Sequence, residues 1–231
     1  MKANYHTHTT FSDGRNTPEE MIQAAIDAGF SRIGISDHAD MIDDFDGYVA
    51  ELVRLKKLYA GRIEVLAGLE SEGALGLEHR DRLDYVIGSF HYVNGFCYDD
   101  EPKIFTEEQV RAYFAFEREF VARGGFDFLA HPDLVLKFNE KLPSIATNAE
   151  WYHQELVSTA DAIAASGLAV EINTGAISRG WRTEVYPSED FRKLLQARGV
   201  RFLLSSDAHS SEALIAQCGS EICALVHENM V

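Results

Sequence analysis

Short apolar runs rich in Ile, Val, Leu and Phe recur at residues 3–6, 32–36, 63–69, 85–90, 126–130, 168–172 and 201–205. Longer stretches of helical period separate them. This alternation is the sequence form of repeated βα units and a mostly parallel sheet, because each buried strand needs a covering amphipathic helix. Helices are predicted over 17–28, 47–59, 106–123, 149–166, 188–198 and 211–227. The clearest start is Thr17-Pro18-Glu19-Glu20, where a Thr cap, Pro at the first helical position and Glu three residues on form a capping box. Gly29 and Gly199 mark helix stops. No repeat or linker divides the chain, so residues 1–231 are expected to form one α/β barrel domain.

The polar residues that follow each apolar run carry more information than the runs themselves. His6 and His8 end the first, Asp37-His38 the second, Glu70 the third, His91 the fourth, His131 the fifth, Glu171 and Asn173 the sixth, and Asp207 with His209 the seventh. In a barrel of βα units the carboxyl ends of the strands open on one face, so these positions converge. Of the nine histidines, only His79, His153 and His227 fall outside this set, in loop or helical segments where they read as surface or packing residues.

Residues i and i+2 of a strand point to the same side, so His6 and His8 can offer two imidazoles to one ion, as Asp207 and His209 can offer a mixed pair. One such pair is weak, because most rim histidines only hydrogen-bond. Polar groups at every strand end are different: each would lose hydration without compensation unless a cation sits among them. Neutral imidazole and ionised carboxylate are ligands that zinc, iron and manganese accept. A carboxylate such as Glu70 can also bridge two ions, which suits two-metal hydrolysis with ions about 3.5–4 Å apart.

Composition narrows the partners. Asp plus Glu number 37 against 21 Lys plus Arg, a net charge of −16 that repels nucleic-acid phosphates. Cys97, Cys218 and Cys223 form neither an even disulfide set nor a C-x-x-C pair, which favours a reducing compartment. No apolar run approaches the roughly 20 residues of a membrane span, so the protein is expected in the cytoplasm.

Tyr5-His6-Thr7-His8-Thr9-Thr10-Phe11-Ser12-Asp13-Gly14, Ile35-Ser36-Asp37-His38, Gly68-Leu69-Glu70, Gly88-Ser89-Phe90-His91, Ala130-His131-Pro132-Asp133 and Ser206-Asp207-Ala208-His209 resemble, in order and spacing, the polymerase and histidinol phosphatase (PHP) family. The segments Ser89-Phe90-His91-Tyr92-Val93-Asn94-Gly95 with Asp99-Asp100, and Glu171-Ile172-Asn173-Thr174 with Tyr186-Pro187, resemble its histidinol-phosphatase branch. The resemblance implies a distorted, TIM-barrel-like (β/α)7 barrel, the PHP fold, holding up to three divalent ions of zinc, manganese or iron. It places His6, His8, Glu70 and Asp207 on one ion, Glu70, His91 and His131 on a second, and Asp13, His38 and His209 on a third. Many relatives have His where this chain has Asp13, and an oxygen ligand there favours a harder cation.

Hydrolysis of a phosphate monoester by a hydroxide held between metal ions is the expected chemistry, with Asp207 or His209 protonating the leaving group and Glu70 bridging. Lys137, Arg179 and Arg182 are the candidate phosphate grips. L-histidinol phosphate, a small metabolite of histidine biosynthesis, is the substrate the resemblance implies. Asp40, Asp43, Asp99 and Asp100 are acids that suit its cationic groups, or ordinary surface residues. An amidohydrolase, a nuclease of the proofreading type and a non-catalytic metal-binding domain are the rival readings. The first expects eight strands, the second meets the acidic balance, and the third sits poorly with a complete ligand series.

Overall fold

The computed structural model describes residues 2–74 and 76–214. Each of the seven apolar runs contributes a strand: β1 (Ala3–Asn4), β2 (Arg32–Ile35), β3 (Glu64–Ala67), β5 (Ile87–Gly88), β8 (Phe128–Leu129), β9 (Ala169–Asn173) and β10 (Phe202–Ser205). The third run breaks after Ala67 and resumes as β4 (Glu70–Ser71). Hydrogen-bonded order is β1-β2-β3 in one sheet and β10-β9-β8-β5-β4 in the other, all parallel. Since β3 and β4 are successive parts of one stave, the two sheets form a single ring of seven staves.

The ring meets itself between its first and seventh staves through one parallel bridge, Thr7 with Ala208, rather than a strand ladder. Asn4 reinforces that seam: its amide donates to Ser206 Oγ, and its Oδ1 accepts from the Ser206 N–H at 3.2 Å. Tyr5, Leu66, Tyr85, Ile87, Phe128, Ala130, Ala169 and Leu203 fill the interior as one apolar cluster. A Cβ at Gly34 would lie 1.9 Å from the Tyr85 hydroxyl oxygen, so glycine there makes room for the ring that plugs the barrel.

Helices cover the outside as the periodicity predicts. α1 (Pro18–Asp27) carries the capping box at Thr17 and Glu20. α2 (Phe45–Leu58), α3 (Glu107–Arg123) and α4 (Glu150–Ser166) follow, then a short α5 (Gly175–Ser178) that the sequence did not signal, and α6 (Glu189–Ala197). α3 begins with a second capping box, Thr106 with Gln109. The predicted helix over 211–227 lies mostly outside the described residues, as do His227, Cys218 and Cys223; residues Glu212–Leu214 form a 3-10 turn. Cys97 is a free thiol.

One element was not anticipated. β6 (Tyr92–Val93) and β7 (Phe96–Cys97) pair antiparallel beyond β5, turning at Asn94-Gly95, both with positive φ. Asn-Gly is the strongest short-range hairpin signal, but the strands flanking it are only two residues long, too short to show an alternating pattern. Among the described residues no helix is long and apolar enough to cross a membrane.

Candidate metal centre

In five of the staves the ligand-type residues stand just beyond the end of the ladder, while Glu70 lies within β4, paired with Ile87, and Glu171 within β9, paired with Leu203. His6 and His8 flank the bridge at Thr7, and the His8 N–H is held by the Ala208 carbonyl at 2.9 Å. The loop carrying Asp13 folds back over His8: a Cβ at Gly14 would come within 2.4 Å of the His8 carbonyl carbon. Asp37, buried, fastens that loop by accepting from the Thr9 N–H at 2.7 Å and from the Ser12 hydroxyl at 2.6 Å. His38 and Glu70 are brought level by an isolated parallel bridge. His131 (φ 21°) and Asp207 (φ 50°) have positive backbone angles, which turn the chain sharply at the strand ends.

Glu70 is the hub. Its Oε2 lies 3.2 Å from His6 Nε2, 3.4 Å from His8 Nε2 and 3.0 Å from His38 Nδ1, while Oε1 lies 3.4 Å from His131 Nε2. Asp207 Oδ1 lies 3.7 Å from His6 Nε2 and 3.2 Å from His8 Nε2. Asp13 Oδ2 lies 3.1 Å from His209 Nε2, and its Oδ1 lies 3.7 Å from His8 Nδ1. The side chains fall into three overlapping groups whose ligand atoms lie within 4.8 Å of one another: His6, His8 and Glu70; Glu70, His91 and His131; and His8, Asp13, His38 and His209. All nine expected ligand positions therefore meet at one mouth. His8, expected only beside His6, also turns its second ring nitrogen toward Asp13.

The donor set fits divalent cations. His6 Nε2, both His8 ring nitrogens and both Glu70 oxygens are buried and make no hydrogen bond, a costly arrangement that coordinate bonds would relieve. Protonation states agree with this. Burial and the neighbouring His209 and His38 hold His8 down to about 3, leaving it neutral and able to ligate. Burial alone would push Glu70 and Asp207 up, yet His38 and His6 hold Glu70, and Arg179 and His6 hold Asp207, well below the usual carboxylate range. Burial lowers His6, but Glu70, Glu171 and Asp207 outweigh it and raise its affinity for a proton. Carboxylates that strong need positive charge, whether from protons or from metal.

Two ligand-set imidazoles are backed by further carboxylates. His6 Nδ1 lies 2.9 Å from Glu171 Oε2, and His91 Nδ1 is hydrogen-bonded to Glu72. Burial depresses the His91 pKa, but Glu72 and Glu70 raise it to about 9. Neither outer acid was singled out from sequence for this role; Glu171, expected to end the sixth run with Asn173, lies in the middle of β9.

The cluster forms the floor of a cleft of about 450 Å³. Arg15, Lys137 and Arg179 line it, and so do Asp40, Glu72, Tyr92, Asp99 and Asp100. Lys137 donates to the Asp99 carbonyl at 2.9 Å and also to its carboxylate. Arg182, expected among the phosphate grips, is elsewhere. It is 6% exposed, lines a neighbouring cavity with Tyr152, Glu140 and Glu184, and pairs with Glu184 at 3.4 Å. After the short α5, Gly180 at φ 71° turns the chain between Arg179 and Arg182, so that only the first faces the cleft. Arg15 takes a place there that spacing did not suggest. His79 stacks on Phe45 and His153 lies exposed on α4, both apart from the cluster, and Asp43 does not line the cleft.

Residues 4–175 match the family model described as the PHP domain. Over 232 aligned residues the chain is 31% identical to the "probable histidinol-phosphatase" of Deinococcus radiodurans, covering 88% of this chain and 85% of that protein. Its fold is similar to a crystal structure from Listeria monocytogenes, with a TM-score of 0.79 at 18% identity over 92% of this chain and 97% of that one. It is also similar to the histidinol phosphate phosphatase of Lactococcus lactis, solved with zinc, L-histidinol and phosphate, with a TM-score of 0.73 at 22% identity over 91% and 87% of the two chains.

Proposed function

We propose, from the premise that this chain belongs to the PHP domain family, that it is a metal-dependent phosphomonoesterase of the cytoplasm whose substrate is L-histidinol phosphate. The observation that carries the reading is Glu70, one buried carboxylate set among imidazoles from three staves. We assign His6, His8, Glu70 and Asp207 to one ion, Glu70, His91 and His131 to a second, and Asp13, His38 and His209 to a third. When bound, such ions supply a water acidified toward neutrality and positive charge for the phosphoryl oxygens.

The chain's own residues would do the rest. Arg179 and Lys137, with Arg15 at the rim, hold the phosphate dianion, Arg through a planar fork suited to two oxygens. Asp207 has both oxygens engaged, one facing His6 and His8 and the other accepting from Arg179. His209 also has its ring nitrogens beside Asp13 and the Asp207 carbonyl, but with 28% of its side chain exposed at the mouth it is our proton donor to the leaving alkoxide in the state where the third ion does not hold it. Asp40, Asp99 and Asp100 give the same cleft an acidic wall, which suits a leaving group bearing ammonium and imidazole. The relatives named as histidinol-phosphatases support the same choice.

The test is a panel of phosphate esters offered to protein loaded separately with manganese, iron and zinc. L-histidinol phosphate should give a kcat/KM at least about 10-fold above esters lacking the ammonium, since one lost polar contact in a closed site commonly costs that much or more. Equal turnover of every ester would leave only a general phosphatase. Silence on all of them with every metal would end the reading.

A further inference from the structure

Glu171 occupies the middle of β9 and is fully buried. Its strand neighbours two positions away are Ala169, part of the barrel's inner cluster, and Asn173, so all three face inward. A carboxylate in that place loses its hydration, and it persists in folded proteins only when its oxygens are supplied with donors. Here they are. Oε2 lies 2.9 Å from His6 Nδ1, and Oε1 accepts from the His131 N–H at 3.0 Å and from Asn173 Nδ2 at 2.6 Å.

We propose that Glu171 is a positioning residue of the metal centre, fixing His6 as the tautomer protonated at Nδ1 and pinning the backbone that carries His131. The inference rests on the reading that the cluster binds divalent ions. An ionised carboxylate only accepts hydrogen bonds, so the ring nitrogen facing it must carry the proton. The His6 Nε2 lone pair is then left pointing at Glu70, 3.2 Å away, and toward Asp207. Through its other oxygen the same carboxylate reaches the neighbouring stave, where His131 sits at an unusual φ of 21°. One side chain thereby sets the register of a ligand in the His6 group and one in the His91 and His131 group. Glu72 makes the corresponding contact with His91, but 27% of its side chain is exposed, and water can stand in for it.

Glu171→Gln keeps the shape and breaks the chemistry. If its carbonyl serves His131 and Asn173, its amide donates to His6 Nδ1 and drives the proton to Nε2, where it blocks coordination. Reversed, two sets of donors face each other. Zinc-loaded, nitrogen-15-labelled protein reports both consequences. In the wild type the His6 ring should carry its proton on Nδ1. In Glu171→Gln that signal should disappear while the His91 ring keeps its own, and the zinc dissociation constant of the affected site should rise about 10- to 100-fold, the usual cost of losing such a partner.

Wild-type His6 protonated at Nε2, or a Glu171→Gln protein that binds zinc as tightly as the wild type, would overturn the proposal. Should the variant not fold, the wild-type tautomer alone decides. No phosphate ester enters the experiment, so a phosphatase reading that fails on its own substrates leaves the role of Glu171 intact. Wild-type protein that binds no zinc overturns both.

Discussion

Arg179 is joined to Asp207 twice: Nη2 lies 2.9 Å from the carboxylate oxygen Oδ2, and Nη1 donates to the Asp207 backbone carbonyl at 3.2 Å. The guanidinium thus lines the cleft and holds a ligand-set carboxylate in place at once.

Removing it should therefore disturb both binding and turnover. Hydrogen bonds between charged groups are worth about 1.5–3 kcal/mol, so Arg179→Gln should lower kcat/KM roughly 10- to 100-fold. Steady-state kinetics should place the loss in KM and in kcat together. An unchanged KM would mean that the arginine serves Asp207 alone.

Glu70 should tolerate no replacement. In Glu70→Ala the four imidazoles around it lose the carboxylate they share, and activity should fall by about 10³-fold or more, since metal-supplied charge stabilisation is worth several kcal/mol. Far-ultraviolet circular dichroism should stay that of the wild type, while bound metal per chain drops. Near-normal phosphatase activity in this variant would refute the whole ligand assignment.

Arg182 should behave as a structural residue. Its guanidinium is almost fully buried beside Glu184 and Glu140, each 36% exposed, so deleting it leaves partly hydrated carboxylates unpaired, at a cost of about 1–3 kcal/mol. Arg182→Met should lower the midpoint of urea unfolding while KM stays within about 2-fold of wild type, the size of effect expected where no substrate contact is lost. A large rise in KM with unchanged stability would return Arg182 to the phosphate site.

Glu117 gives a pH signature remote from the cleft. It is fully buried on α3 with neither oxygen hydrogen-bonded, and burial, reinforced by Asp133, raises its pKa well above the ordinary 4.5. A raised carboxyl pKa favours the folded state at low pH, and that contribution is lost as pH climbs from 4.5 toward the folded-state value. Glu117→Gln, which has no proton to lose, should be more stable than wild type at neutral pH by an amount that grows up to about 1.4 kcal/mol per pH unit and vanishes near pH 4. Denaturant titrations at several pH values check this; a constant difference would show that the carboxyl titrates normally.

Much of this architecture was legible beforehand because two periodicities coincide. The apolar runs located every stave, and the polar residue after each run located the mouth, since strand ends and ligands share one geometric cause. Thr17 and Glu20 located a helix start through a local hydrogen-bond pattern that needs no tertiary context. Arg182 lies away from the cleft for the opposite reason: which way a loop residue faces depends on tertiary context, here the turn at Gly180 that follows α5, and no periodicity reports it. Glu171 lies mid-strand in β9, and strand parity places it inward without saying whether it meets an ion or another side chain.

The seam at Thr7 and Ala208 links two stretches made far apart in time. Asn4 and Ser206, hydrogen-bonded across it, are 202 positions apart, so a ribosome completes one wall of the pocket long before it begins the other. The sites that include Asp207 and His209 could be completed only after the seventh stave docks beside the first, so filling them would be a step coupled to closure of the ring rather than to synthesis of any single ligand.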